Sequence, residues 1–216
     1  MQLTLKQVLP QPALVESWLS DLGQLGNTAL TTLRVWPRPL RAKALARAYR
    51  RPPRVTLLVT DLVGFSALVT SLGDRAAHKL IQIHNTILRG CLRRHGGREA
   101  AHTGDGIIAS FPDPVAAARC AVHIQERLRE QRARNPQAPL QARIGLHYGR
   151  PLPEEGRLFG GCVNYAVRVC AVAQSGEVLV SDCVRSLIAQ QFVCVQKPPV
   201  GLKGFDGQHC LHVVRS

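Results

Sequence analysis

Residues 55–65, VTLLVTDLVGF, and the stretch that answers them at 103–111, TGDGIIASF, decide how this chain reads. The first is an apolar strand, carried by Val55, Leu57, Leu58 and Val59, that stops at Asp61 and enters a turn at Gly64. The second opens on a tight Gly-Asp-Gly turn and continues as an apolar strand through Ile107 to Phe111. Near-continuous apolar runs mark strands buried on both faces, and glycine punctuates the turns between them. If the two strands are neighbours, Asp61 and Asp105 lie at the same end of one sheet. Two carboxylates that close repel unless a cation stands between them. Hard divalent ions accept such oxygen ligands and keep positions free for a substrate's phosphates. The pattern predicts a two-metal phosphoryl-transfer site on Asp61 and Asp105.

Outward from these strands, Ser66 is placed to cap a short helix and Asp74 to open a longer one. Ala77, Leu80, His84, Ile87, Leu88 and Cys91 then recur at helical spacing along one face, where His84 reads as a core histidine. Gly96-Gly97 ends that helix, and a strand over 98–101 leads into the Gly-Asp-Gly turn. Further helices are expected over 112–134, 160–174 and 182–190, and strands over 140–148, 176–181, 192–195 and 210–214. The segments 151–156 and 202–204 (LKG) read as a loop and a turn. This order predicts an α+β fold, a mostly antiparallel sheet flanked by helices. Residues 1–53 read as a separate helical appendage, with helices over 9–25 and 40–49 broken at Pro52-Pro53, and 54–216 as the domain proper.

The 216 residues, 45% of them hydrophobic, suffice for one well-buried domain. No apolar run approaches a membrane span and the N-terminus lacks a signal-peptide layout, so a cytoplasmic protein with no membrane span is expected. Seven scattered cysteines without a Cys-x-x-Cys pair read as small buried hydrophobes in a reducing compartment. The net charge of +14 admits nucleic acid, an anionic small molecule or an arginine-rich composition as its explanation. Aromatic interleaving is sparse around the basic run at 41–54, so a nucleotide substrate is favoured over nucleic acid as partner.

VTLLVTDLVGFS, HTGDGIIASF, ARIGLHYG, LFGGCVNYAVRV, GEVLVS and LKG follow one another between residues 55 and 214. In that order they resemble the catalytic domain of the class III nucleotidyl cyclases, the adenylate and guanylate cyclase family, with its ferredoxin-like fold. The resemblance implies that Asp61, the Leu62 backbone carbonyl and Asp105 bind two divalent ions, Mg2+ or Mn2+. It implies that the backbone of Val63, Gly64, Phe65 and Ser66 meets phosphate oxygens at a helix N-terminus, and that Arg143 contacts the triphosphate. Asn164 would orient the ribose and Arg168 would stabilise the transition state. It further implies a head-to-tail homodimer with shared sites, one chain giving the aspartates and Arg143, its partner giving Asn164, Arg168 and the base-reading positions. The expected reaction is intramolecular attack of the ribose 3′-hydroxyl on the α-phosphorus of a nucleoside triphosphate, with loss of pyrophosphate.

The departure from the family lies in those base-reading positions. Adenylate cyclases carry a lysine four residues before the second aspartate and an aspartate or threonine seven before the ribose-orienting asparagine; guanylate cyclases carry glutamate and cysteine. Here Ala101 and Arg157 stand there. A guanidinium offers donors only, so it satisfies carbonyl acceptors and not an exocyclic amine. This non-purine code resembles the bacterial pyrimidine cyclases of anti-phage signalling, which make cyclic UMP or cyclic CMP for a separate cyclic-nucleotide-responsive effector. UTP is the expected substrate and CTP the second. An adenylate cyclase with an unusual pocket, or a non-catalytic nucleotide-sensing dimer, is the alternative.

Overall fold

The computed structural model describes residues 52–136, 140–154 and 157–215. The helices expected over 9–25 and 40–49, and the appendage as a whole, lie outside these residues. Strand β1 (Val55–Leu62) is buried along nearly its whole length and is an interior strand of a seven-stranded sheet. It is followed by helices α1 (Phe65–Leu72) and α2 (Asp74–His95), strands β2 (Arg98–His102) and β3 (Ile107–Phe111), α3 (Pro114–Arg134) and β4 (Ala142–Gly149). The second half adds β5 (Leu152–Glu154), β6 (Arg157–Phe159), α4 (Gly161–Ala171), β7 (Val178–Ser181) and α5 (Asp182–Ile188). It closes with β8 (Val193–Gln196), β9 (Val200–Leu202), β10 (Phe205–His209) and β11 (Leu211–Arg215).

The strand order is β2-β3-β1-β4-β7-β11-β8. Every neighbouring pair is antiparallel except β4 and β7. The first four strands, with α1/α2 and α3 between them, are a ferredoxin-like βαββαβ unit. This is the α+β, mostly antiparallel architecture expected from the sequence. Two hairpins stand apart from the main sheet, β5–β6 and β9–β10. The loop expected at 151–156 therefore contains a strand, and the LKG turn joins two. Pro153 and the short runs around these turns hide the alternation on which a strand assignment rests.

Alternation along β1 and β4 sorts the layers. Leu58, Leu62, Ile144 and Leu146 join the large core beneath α2 and α3, whereas Leu57 and Val59 pack with Val163, Ala166 and Cys170 of α4. Asp61 and Arg143 stand opposite each other in the β1–β4 ladder, on the α4 side. One expected cap is corrected. Helix α1 starts at Phe65 after Gly64 at φ 71°, with no side-chain cap, so Ser66 lies inside its first turn. A left-handed residue suits glycine, and it turns the chain too sharply for Ser66 to flank the helix.

His84 is fully buried on the inner face of α2, and neither ring nitrogen meets a hydrogen-bond partner among the described residues. Burial pushes its pKa down to about 4, against the neighbouring Asn85 side chain; His102 pushes the same way as burial and Asp61 opposes. Burial likewise pushes His147 of β4 down to about 4. Above pH 6.5 both rings are neutral in folded and unfolded chains alike. Between 6.5 and 4 the unfolded chain takes up protons that the folded chain refuses. Stability is therefore lost as pH falls through that window, by up to about 1.4 kcal/mol per pH unit for each ring. His95 and His212 are also pushed down by burial, so the melting temperature should fall from pH 7 to pH 4.5, and His84→Leu should make that slope shallower without abolishing it. An unchanged slope in the variant would assign the loss to other groups.

Candidate active site

The Gly-Asp-Gly loop is pressed onto β1 by a glycine that nothing larger could replace. A Cβ on Gly106 would lie 1.9 Å from the Thr60 carbonyl oxygen, so only hydrogen fits. The Ile107 N–H donates to Thr60 Oγ1 at 3.0 Å, and the Thr103 N–H donates to the Gly106 carbonyl at 2.9 Å. Within the loop, the Gly104 N–H donates to His102 Nδ1 at 3.1 Å. Asp105 is thereby held beside the end of β1, one residue from Gly106 and against the strand that carries Asp61. Both carboxylates and the Arg143 guanidinium act on the buried Cys170 thiol of α4. Its pKa is pushed up to about 12, by burial first and then by Asp61, with Arg143 opposing and Asp105 adding a smaller push. Asp61 at the end of β1 and Asp105 in the loop pressed onto that strand thus both lie close enough to act on one thiol of α4.

Arg143 is already engaged. Its Nε and Nη2 donate to the same Asp61 oxygen at 2.7 and 2.5 Å, and its Nη1 donates to the Ala171 carbonyl at 2.8 Å. The pair is about a third exposed, 31% for Asp61 and 33% for Arg143, so incoming ligands can reach it. Sequence reasoning placed Arg143 on a triphosphate and did not foresee that it would neutralise Asp61. The signal was the strand register, which single-strand patterns do not carry.

The phosphate-facing backbone needs one correction. The Val63 N–H is taken by the Gln141 carbonyl at 2.8 Å, so Val63 has no donor to offer an anion. Gly64, Phe65 and Ser66 remain, at the head of a helix whose first-turn N–H groups have no intrahelical acceptor. The groups that could hold a metal here are oxygens: two carboxylates and the Leu62 carbonyl. Among the described residues no three His, Cys, Asp or Glu side chains gather as a ready-made cage. Such a half-shell suits a hard divalent ion that completes its coordination with substrate phosphate and water. It does not suit zinc, which is held by closed sets of nitrogen and sulfur ligands.

Asn164 and Arg168 lie one turn apart on α4, Asn164 exposed and Arg168 half-buried. The two positions expected to read the base lie on different elements. Ala101 is opposite Ile108 across the β2–β3 ladder, after a register shift between Glu99 and Ala101 that leaves Ala100 as the extra residue. That bulge turns Ala101 onto the face it shares with Ile108, the α4 side. Arg157 is exposed at the start of β6, in a hairpin that packs beside β2. It faces Glu154 across that hairpin. Asp61 and Arg143 are thus paired across β1 and β4, the loop of Asp105 lies against β1, the hairpin that carries Arg157 packs beside β2, the strand of Ala101, and α4 packs on β1 and β4.

Residues 48–215 match the family described as "Adenylate and Guanylate cyclase catalytic domain". Putative adenylate cyclase 3 of Rhizobium meliloti (strain 1021) is 29% identical over 146 residues, covering 67% of this chain and 25% of that protein. An adenylate cyclase of Mycosarcoma maydis is 31% identical over 197 residues, covering 77% of this chain and 8% of that protein. The match thus spans a quarter or less of these relatives' length. Among solved structures, the adenylyl cyclase CyaB from P. aeruginosa superposes with a TM-score of 0.68 at 23% identity, covering 76% of this chain and 94% of that one. An adenylate/guanylate cyclase/hydrolase from Silicibacter pomeroyi gives 0.68 at 25% identity, covering 74% and 95%.

Proposed function

The chain belongs to the family of adenylate and guanylate cyclase catalytic domains, and from that premise we propose that it is a metal-dependent nucleotidyl cyclase selective for UTP, with CTP as second substrate. The observation that carries the base choice is Arg157, a group with donors only, exposed on a hairpin that packs beside β2, the strand of Ala101, in a chain that lacks the family's purine-reading side chains at both positions. Uracil presents carbonyl oxygens to such a group; adenine presents none.

In this reading Asp61, Asp105 and the Leu62 carbonyl hold two divalent ions, which supply charge neutralisation at the triphosphate and acidify the ribose 3′-hydroxyl. Arg143 exchanges Asp61 for phosphate oxygens, two acceptors of the same geometry and sign. The first-turn N–H groups at Gly64 to Ser66 hold further phosphate oxygens. Asn164 orients the ribose, and Arg168 donates to the phosphoryl oxygens as charge builds on them. A bond forms from the 3′-oxygen to the α-phosphorus while the bond to the bridging oxygen breaks. Pyrophosphate leaves and the hydroxyl proton passes to water. The two halves of each site come from two copies of the chain in a head-to-tail homodimer. The product would act as a second messenger for a separate effector, as in anti-phage signalling. Residues 1–53 are an appendage to the domain at 54–216. Among the described residues no helix is long and apolar enough to cross a membrane.

A second reading, ATP as substrate, is favoured by the adenylate cyclases among the relatives. Purified protein with manganese and each of the four ribonucleoside triphosphates separates the two by chromatography of the products. Cyclic UMP as main product is expected; cyclic AMP as main product would overturn the role given to Arg157. Arg157→Ala should reduce discrimination between UTP and ATP about tenfold or more, since one lost donor pair at a base is worth roughly 1–3 kcal/mol. An equal loss with every nucleotide would instead place Arg157 on the phosphates.

A further inference from the structure

Alternate residues of β4, Arg143, Gly145, His147 and Gly149, face helix α4, and each meets it differently. Arg143 donates to the carbonyl of Ala171 at the helix's last turn. A Cβ on Gly145 would lie 2.3 Å from the Cys170 nitrogen, and one on Gly149 would lie 2.4 Å from the Cys162 Cβ. The helix therefore lies directly on the strand at both ends. Between these close approaches His147 fills the gap, and the Tyr165 ring packs on it with centroids 4.3 Å apart and planes at 39°.

Tyr165 is tied on its other side as well. Its hydroxyl and His209 Nδ1 share a hydrogen bond of 3.1 Å, and its ring meets Phe205 edge-on at 5.0 Å. Both partners belong to the β9–β10 hairpin, which forms no part of the main sheet. His147 is held in turn by Ser181 at the end of β7, its Nδ1 2.9 Å from the hydroxyl oxygen. Burial keeps the imidazole of His147 neutral and raises the Tyr165 phenol, with the Cys183 and Cys210 thiols adding to the second shift. The contact is a neutral ring on a neutral ring, stable across the physiological range.

We infer that Tyr165 is a positioning residue for the reaction. By clamping α4 between His147 and His209 it sets the rotation of the helix that presents its neighbour Asn164 and, one turn on, Arg168. The inference rests on the roles proposed above for those two side chains. The leverage is geometric. A guanidinium about 7 Å from a helix axis moves about 1 Å when the helix turns by roughly 10°, and a displacement of about 1 Å can lower a rate by up to about a hundredfold. The glycine contacts fix how closely α4 approaches the sheet. The Tyr165 clamp adds resistance to rotation about the helix's own axis, because it grips from two sides.

Tyr165→Phe keeps the ring and removes the hydroxyl. With the preferred nucleotide and manganese, kcat should fall about tenfold while KM stays within about twofold and the melting temperature within a few degrees. His209→Leu should reproduce the fall. In an Arg168→Ala background, Tyr165→Phe should cause a smaller loss, because one of the two residues being positioned is gone. An unchanged kcat in Tyr165→Phe, or the same loss with and without Arg168, overturns the inference. A fall in kcat that tracks a fall in melting temperature, with equal loss in both backgrounds, marks a structural role and overturns it too. Wild-type protein that makes no cyclic product from any of the four nucleotides would sink the cyclase reading itself, and it is measured before any variant.

Discussion

Asp61→Asn is expected to lower turnover about a thousandfold or more, because it removes the charge on which the proposed metal binding would rest and leaves the side chain's shape intact. Half of the oxygen charge offered to the ions comes from this one carboxylate, and no other His, Cys, Asp or Glu group of three among the described residues stands ready to replace it. The fold should survive. Asp61 is about a third exposed, and the amide oxygen of asparagine still accepts from Arg143. The variant's melting temperature should therefore change little while manganese binding, read by titration calorimetry in the presence of a non-cyclisable nucleotide, becomes undetectable. Turnover within tenfold of wild type would place the metals elsewhere.

Arg168→Ala is expected to lower kcat by about a hundredfold to a thousandfold with little change in KM, the signature of an interaction made only in the transition state. Lysine should rescue it only in part, since a single ammonium cannot donate in a planar fork. The two variants also test the shared site. If Asp61 and Arg168 serve one reaction from different copies, Asp61→Asn and Arg168→Ala chains are each inactive alone. Mixed in equal amounts, they should regain about a quarter of wild-type activity, because half of the two-fold dimers then carry one intact site of two. A mixture as inactive as its components, in chains shown to exchange, would put both residues in the same copy.

Arg143 shows how far residue patterns reach. ARIGLHYG reads as an alternating strand, and it is one. Its arginine lies opposite Asp61 because β1 and β4 pair in one register out of several, and register is set by contacts that neither strand contains. The same holds for Val63, whose N–H is claimed by Gln141 from across the sheet. Ser66 was misplaced by one local rule overriding another: a capping hydroxyl lost to a left-handed glycine two residues earlier. The β5–β6 and β9–β10 hairpins went unseen because three of their four strands have only three residues, too few to show a period. Tyr165 escaped notice for a different reason. Its partners His147 and His209 lie 18 and 44 positions away along the chain, and only packing brings their rings together.

What the sequence by itself determined is the chemistry available and the frame that carries it. Apolar runs, glycine turns and helical spacing are local, so β1, the Gly-Asp-Gly loop, the long helices and the order of the four ferredoxin-like strands could all be read directly. The tertiary structure alone decided which of those groups meet: that Arg143 holds Asp61, that a bulge turns Ala101 toward α4, and that Tyr165 is gripped from two elements at once. The reason is that hydrogen bonds, ion pairs and ring contacts depend on distance in space to a few tenths of an ångström. Residue spacing along a chain fixes such distances only within a single helix or strand.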